Sequence, residues 1–171
     1  VTIIVTPPGP MTGVLFRTLS DCCRVLSVTP ERVSPVHAPD VLLLEADVPP
    51  SCTGDTVYVL GAAPPPDYPF TPDEHALAVV HSENREALAF AAAHHLKTLT
   101  CGLSVRDTLT LSSLTDECAM VCLQREIRPF GGGIIEPGEI PVRLYAPVGR
   151  GELLLVAAVL LLCGGGAMGN A

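Results

Sequence analysis

Short runs of apolar residues recur through the first 102 residues of the chain, each followed by polar or turn-forming residues. Runs of this kind, rich in Val, Leu and Ile, are typical of strands buried on both faces of a sheet. The pattern predicts strands at Val1–Thr6, Cys23–Val28, Val41–Ala46, Thr56–Leu60, Leu77–His81 and Thr98–Gly102. Strands alternating with helical segments predict an α/β fold of three layers, in which helices cover both faces of a mostly parallel sheet.

Two of the segments between these runs have helical features. Gly13–Asp21 follows the first predicted strand, and Glu83–Leu96 follows the fifth. Ser82 is the expected N-cap of the second helix, because a Ser hydroxyl accepts hydrogen bonds from the first turn and acidic residues follow it. The stretch Ala62–Pro72 contains five prolines and is expected to form a long surface loop.

The pattern changes after residue 102. Residues 108–114 alternate polar and apolar, and Ala119–Ile127 and Ile140–Tyr145 are two further strand-like stretches separated by glycine and proline turns. This alternation predicts a small antiparallel β extension. The apolar run 153–163 predicts a helix, and it is too short to span a membrane, which takes roughly 20 residues.

We therefore expect a single domain over residues 1–171. Its parts are a parallel core at 1–102, the antiparallel extension at 103–147 and a final helix at 148–166.

The first predicted strand leads into a glycine-containing loop and a helix, which is the layout of a phosphate loop. From Thr6 to Gly13 the loop reads Thr-Pro-Pro-Gly-Pro-Met-Thr-Gly. A working phosphate loop needs consecutive backbone N–H groups and a Lys that reaches the phosphates. Here three loop residues are Pro, which has no N–H, and Met11 occupies the Lys position. The frame is present without the groups that bind phosphate.

The loop resembles the V-T-G-T-N-G-K-T start of the central, ATP-binding domain of the Mur ligases, the amide-forming enzymes of cell-wall precursor synthesis. Further stretches are similar to strands and motifs of that family in the same order: Asp40–Asp47 to the strand that ends in a metal-binding Glu, Thr56–Gly61 to the next strand, Leu77–Asn84 to V-V-N-x-D-D, Lys97–Gly102 to V-x-T-F-G and Pro147–Arg150 to P-G-R-H-N. The family also has an antiparallel extension before its final helix. The resemblance implies the fold of that domain in a degenerate form, without the phosphate-loop Lys.

The resemblance also implies where a site would lie. It places a degenerate nucleotide site at Thr6, Gly9, Met11, Thr12 and Arg150. Glu45 and Asp47 end a predicted strand, at the edge where open α/β sheets hold ligands, and are the candidates for a Mg²⁺ site. His81 stands where the family has Asn and is a further candidate residue of the cleft. No residue is given a catalytic role, since the Asp-His pair of the family is not found.

Composition and charge narrow the possible partners. The net charge is −8 and only one of the ten basic residues is a lysine, Lys97, so nucleic acid is excluded as a partner because phosphate backbones require stripes of Lys and Arg. Seven cysteines without a C-x-x-C pair predict structural thiols in a reduced, cytoplasmic protein.

The chain is 48% hydrophobic and only 16% charged, which indicates covered apolar surface. Because the helix at 153–163 is apolar all round, we expect a protein partner or a second copy to cover one of its faces, unless the antiparallel segment of the same chain does so.

These features together predict a non-catalytic binding or scaffolding protein of the Mur type that needs no cofactor. One alternative is an ATP-dependent Mur-type amide ligase, or a ligase subunit acting with another chain, which would use ATP and Mg²⁺. The other alternative is a small-ligand binding module with Thr12, Glu45 and His81 in its cleft. The missing loop Lys favours the first prediction.

Overall fold

The computed structural model describes residues 1–34, 36–65, 67–115, 118–143 and 149–164. Three helices cover one mixed sheet, so the protein has the predicted α/β architecture. In chain order the elements are β1 (Thr2–Thr6), α1 (Pro10–Ser20), β2 (Val25–Val28), β3 (Val41–Glu45), β4 (Thr56–Leu60), β5 (Leu77–His81), α2 (Arg85–Ala93), β6 (Lys97–Gly102), β7 (Leu109–Leu114), β8 (Cys118–Leu123), β9 (Gly138–Arg143) and α3 (Arg150–Leu162).

The sheet is parallel over most of its width. Its strand order is β2-β3-β1-β4-β5-β6-β7-β8-β9, and only the pairs β7–β8 and β8–β9 are antiparallel. Of β7, only Leu109 and Thr110 pair with β6, at its last two residues. The rest of β7 therefore runs past the carboxyl edge, which is the edge of the sheet where the parallel strands end.

Side chains on the two faces of the sheet form separate cores. Ile3 and Val5 of β1 belong to the core that includes α1 and α3, whereas Ile4 between them belongs to the core that includes α2. Successive side chains of a strand point to opposite faces, so continuous apolar runs require cover on both sides. The three layers predicted from the sequence follow from this.

Helix α3 is buried within the chain. Nine of its thirteen residues are buried, and it packs against α1 and against β5, β6 and β7. At its C-terminal end the backbone N–H of Phe130 donates to the carbonyl oxygen of Leu162 at 2.9 Å, which holds the segment between β8 and β9 against the helix. The chain itself covers this helix, in part through its antiparallel extension, which is the alternative to cover by a partner that the sequence left open. An oligomer or a protein partner stays a prediction.

The limits of α3 also differ from the predicted final helix, 148–166. The helix covers Arg150–Leu162, and residues 148, 165 and 166 lie outside the described part of the chain, as do Leu144 and Tyr145 of the last predicted strand. Within the described residues, no helix is long and apolar enough to cross a membrane.

The N-cap of α2 is Asn84, so the prediction of Ser82 is wrong. The Oδ1 atom of Asn84 accepts a hydrogen bond from the backbone N–H of Ala87 at 3.1 Å. The hydroxyl of Ser82 instead donates to the carboxylate of Asp107 at 3.1 Å. Both residue types cap helices well, and the chain direction after β5 decides which of the two reaches the first turn.

The proline-rich loop is only partly a surface loop. Its Phe70 is buried in the α2-side core, where its ring centroid lies 5.1 Å from that of Tyr58 and 5.3 Å from that of Phe90. Aromatic pairs at these distances add to the burial of apolar area. The loop therefore supplies part of the cover that a second helix would otherwise give this face.

All seven cysteines are free thiols. Burial raises the pKa of Cys23 to about 12 and the pKa of Cys163 to about 11, and it also raises the pKa of Cys101 in the core. Since the thiolate is the reactive form, these three thiols are poor nucleophiles. Their placement agrees with a structural role.

Candidate functional site

The candidate site lies at the carboxyl edge of the sheet, around the end of β1. In the strand order, the connection from β1 leads to β2, whereas the connection from β3 leads past β1 to β4 in the opposite direction. A crevice for ligands opens where the direction of the connections changes, which is at the end of β1. Thr6 ends β1, Glu45 ends β3 and His81 ends β5. Gly9 is the N-cap of α1, and Met11 and Thr12 lie in its first turn. These predicted site residues thus lie at one edge of the sheet, where the parallel strands end.

A carboxylate of the protein occupies the loop. The backbone N–H of Gly9 donates to Oε1 of Glu45 at 3.2 Å. Gly9 is the N-cap residue of α1, and negative charge is favourable at the N-terminus of a helix. In a working phosphate loop, N–H groups at this place point at phosphate oxygens. Here the side chain proposed as a metal ligand takes that hydrogen bond.

The remaining loop residues also differ from a phosphate cradle. Pro10 is the first residue of α1, where its missing N–H costs least, and the N–H of Thr12 is directed at the carbonyl oxygen of Gly9 at 3.2 Å. The peptide bond between Thr6 and Pro7 is cis. The side chain of Met11 packs against the core under α1 and α3. The position that holds the Lys in a phosphate loop therefore carries an apolar contact.

Two hydroxyl groups beside the loop are enclosed. Thr6 and Thr12 are 1% and 2% exposed, and neither hydroxyl oxygen has a hydrogen-bond partner among the described residues. An enclosed oxygen cannot coordinate an ion in the crevice unless α1 moves. The enclosed hydroxyl of Thr12 thus does not favour its predicted place in a nucleotide or small-ligand site.

The two candidate metal ligands, Glu45 and Asp47, differ in their surroundings. Asp47 is exposed in the turn after β3, while the carboxylate of Glu45 is hydrogen-bonded to the loop. In the described parts of the chain, no group of three or more His, Cys, Asp or Glu side chains has an arrangement that holds a metal ion.

His81 lies between β5 and the start of α3. Its Nδ1 accepts a hydrogen bond from the backbone N–H of Glu83 at 3.4 Å, so the neutral ring carries its proton on Nε2. A Cβ atom on Gly151 would lie 3.3 Å from that Nε2, which means that the ring rests on the first turn of α3. A side chain at position 151 would require the ring to shift by a few tenths of an ångström. His81 is a half-buried residue of the edge, and its place in a ligand cleft stays a prediction.

At the starts of α2 and α3, backbone N–H groups also donate to side-chain oxygen atoms of the protein. The side chain of Asn84 caps α2 and donates from Nδ2 to the carbonyl oxygen of Gly61 at 3.0 Å. The Oε2 atom of Glu152 accepts from the backbone N–H of Gly149 at the start of α3, at 3.3 Å. Arg150 follows as an exposed first residue of that helix. Each helix N-terminus at the carboxyl edge thus has an internal acceptor.

A cluster of polar residues at the end of β6 is absent from the sequence predictions. Asp107 is 3% exposed, and its Oδ2 atom accepts from the hydroxyl of Ser82 and from the backbone N–H of Ser104 at 3.1 and 3.0 Å. Gly102 leaves the space in which these groups meet. The Ser-x-x-Asp spacing of 104 and 107 was the available signal, since it is typical of side chains that close a turn.

The sequence matches no family model and no curated protein. The likeness to the Mur central domain therefore rests on the motifs quoted above and stays a prediction.

Proposed function

We propose that this chain is a non-catalytic binding or scaffolding domain that has the frame of a phosphate-loop protein but does not bind nucleotide. The hydrogen bond from Gly9 to Glu45 carries this proposal, because it places a fixed negative charge where a phosphate group would have to enter. Met11 supports it, since the side chain at the Lys position contributes to the core.

The energetic cost of nucleotide binding at this edge is large. A hydrogen bond to a charged group contributes about 1.5–3 kcal/mol. A phosphate bound here would find no Lys, and at the three proline positions of the loop it would find no backbone N–H donor. It would also have to displace Glu45 or lie beside it, and like charges at close range repel. Every 1.4 kcal/mol is a tenfold loss of affinity, so two missing bonds alone weaken binding by more than a hundredfold.

The Mur-type ligase is the alternative that the same observations disfavour. Ligation by that route requires an ATP site with a metal ion, and the carboxylate of Glu45, a candidate ligand of that ion, is already hydrogen-bonded to the backbone N–H of Gly9. The proposal still includes descent from such a domain, because the fold and the motifs resemble it.

The first prediction is that Mg-ATP leaves the thermal stability of the protein unchanged. A ligand at 100 times its dissociation constant stabilises the folded state by about 2.7 kcal/mol, so even weak binding is visible as a higher melting temperature. Differential scanning fluorimetry and calorimetric titration with Mg-ATP measure this. A micromolar dissociation constant would overturn the proposal.

The second prediction is that the loop regains phosphate affinity when its donors are restored. The variant Pro10→Gly, Met11→Lys, Glu45→Ala supplies an N–H and a cation and frees the N–H of Gly9. We expect it to bind tripolyphosphate at least tenfold more tightly than the parent chain, on the order of one charged hydrogen bond.

The matched control keeps the first two substitutions and replaces Glu45→Ala by Asp47→Ala. It removes the same charge from an exposed position and leaves Gly9 occupied. Equal affinity of the two variants would show that Glu45 does not block the loop.

A further inference from the structure

The turn between β6 and β7 presents two apolar side chains to solvent. Leu103 is 69% exposed and Val105 is 82% exposed. Single exposed apolar residues are common on protein surfaces, but two of them on one short turn form a small contact surface.

This turn is rigid. The N–H of Ser104 donates to the buried carboxylate of Asp107, the N–H of Asp107 donates back to the carbonyl oxygen of Ser104 at 2.9 Å, and the N–H of Arg106 donates to Oγ of Ser104 at 3.2 Å. A preformed contact surface loses little conformational entropy on binding. The turn is therefore built to hold its apolar side chains outward.

Positive charge lies beside the apolar pair. Arg106 is exposed, and the guanidinium group of Arg125 donates to its carbonyl oxygen at 2.8 Å, which brings the two arginines together. Residues 103–106 with Arg125 are called the β6–β7 tip below. Its chemistry fits a surface that combines apolar groups with carboxylates.

The same chain carries such a surface. Residues 46–52 and 67–74, called the acidic loops below, are held together by hydrogen bonds from the hydroxyl of Tyr68 to the carbonyl oxygen of Pro49 and from the N–H of Thr71 to Ser51. They contain no Lys or Arg, although the ammonium group of Lys97 donates to the carbonyl oxygen of Glu74 at 3.5 Å. They combine Asp47, Asp67, Asp73 and Glu74 with the exposed Pro69 and the half-buried Pro50 and Pro72.

We propose that the β6–β7 tip of one copy docks on the acidic loops of a second copy, an inference that rests on the proposed scaffolding function. A contact between two tips is disfavoured, because it brings arginines of both copies together. The contact joins two different surfaces, so it links copies head to tail into short chains or rings. The tip is small, and the association is of the weak, transient kind.

Sedimentation velocity on the intact chain tests the proposal. We expect the mean mass to rise with protein concentration at low salt and to fall when salt screens the charges. Leu103→Asp with Val105→Asp should weaken association roughly tenfold or more, since it removes both apolar groups and adds repulsion. Val33→Asp is the matched control, because Val33 is 59% exposed at a different place and its replacement should change nothing.

A charge exchange identifies the two surfaces. Arg106→Glu and Asp67→Arg should each weaken self-association, and a mixture of the two variants should associate more strongly than either alone. Monomers at every concentration, or association that the tip variants leave intact, would overturn the inference.

These results are independent of nucleotide binding. If the protein stays monomeric and does not bind Mg-ATP, the docking is contradicted and the proposed lack of nucleotide binding is retained. If the protein self-associates and binds Mg-ATP, the docking is retained and the lack of nucleotide binding is contradicted.

Discussion

Replacing Leu154 by Ala is expected to lower the free energy of unfolding by about 3 kcal/mol, within the range of 2–5 measured for buried Leu→Ala changes. Leu154 is 1% exposed, and its helix α3 packs against α1, β5, β6 and β7. The helix is apolar on all sides, so it has no polar face that could turn toward the cavity left by the substitution. For a chain of this length the loss corresponds to a melting temperature lower by roughly 6–12 °C.

Urea unfolding followed by far-UV circular dichroism measures the change, since the chain has no Trp. The control is Leu160→Ala in the same helix, because Leu160 is only half-buried and should cost about 1 kcal/mol. The dependence of the free energy on urea should stay the same in both variants. Equal small losses would show that Leu154 does not lie in a tightly packed core.

The burial of α3 marks a limit of what the sequence predicts. The apolar run 153–163 shows that the helix must be covered on more than one side, but it does not show by what. The cover comes from α1 and from the segment that contains Phe130, which are distant along the chain. By contrast, Thr56–Leu60 and Leu77–His81 form strands with the predicted limits, because an unbroken apolar run between turn residues is a local signal.

The candidate site shows the same division. The position of Thr6, Glu45 and His81 at one edge could be predicted, because parallel strands end at the same edge of the sheet. The hydrogen bond between Gly9 and Glu45 was not, since it joins residues that are 36 positions apart and depends on β3 lying next to β1. Asn84 was missed for a local reason, because Ser82 is an equally good N-cap by residue type.

Replacing Gly102 by Ala is expected to cost about 3–5 kcal/mol, the sum of overpacking and of a disturbed hydrogen bond to a buried charge. A Cβ atom at this position would overlap both the hydroxyl of Ser82 and the carboxylate of Asp107. The carboxylate cannot move away freely, because it also accepts from the backbone N–H of Ser104 in the adjoining turn. The hydroxyl of Ser82 cannot move away without losing its hydrogen bond to that carboxylate.

The control for Gly102→Ala is the same substitution at Gly13, an exposed position in α1 where a new Cβ meets nothing within 4 Å. There Ala should raise the free energy of unfolding by about 0.5–1 kcal/mol, because Gly is the poorer helix former. Urea unfolding should thus give opposite signs for the two changes. Adding Ser82→Ala to Gly102→Ala should cost less than Ser82→Ala costs alone, since it removes one of the two overlaps. Strictly additive losses would mean that Gly102 is not what lets Ser82 reach Asp107.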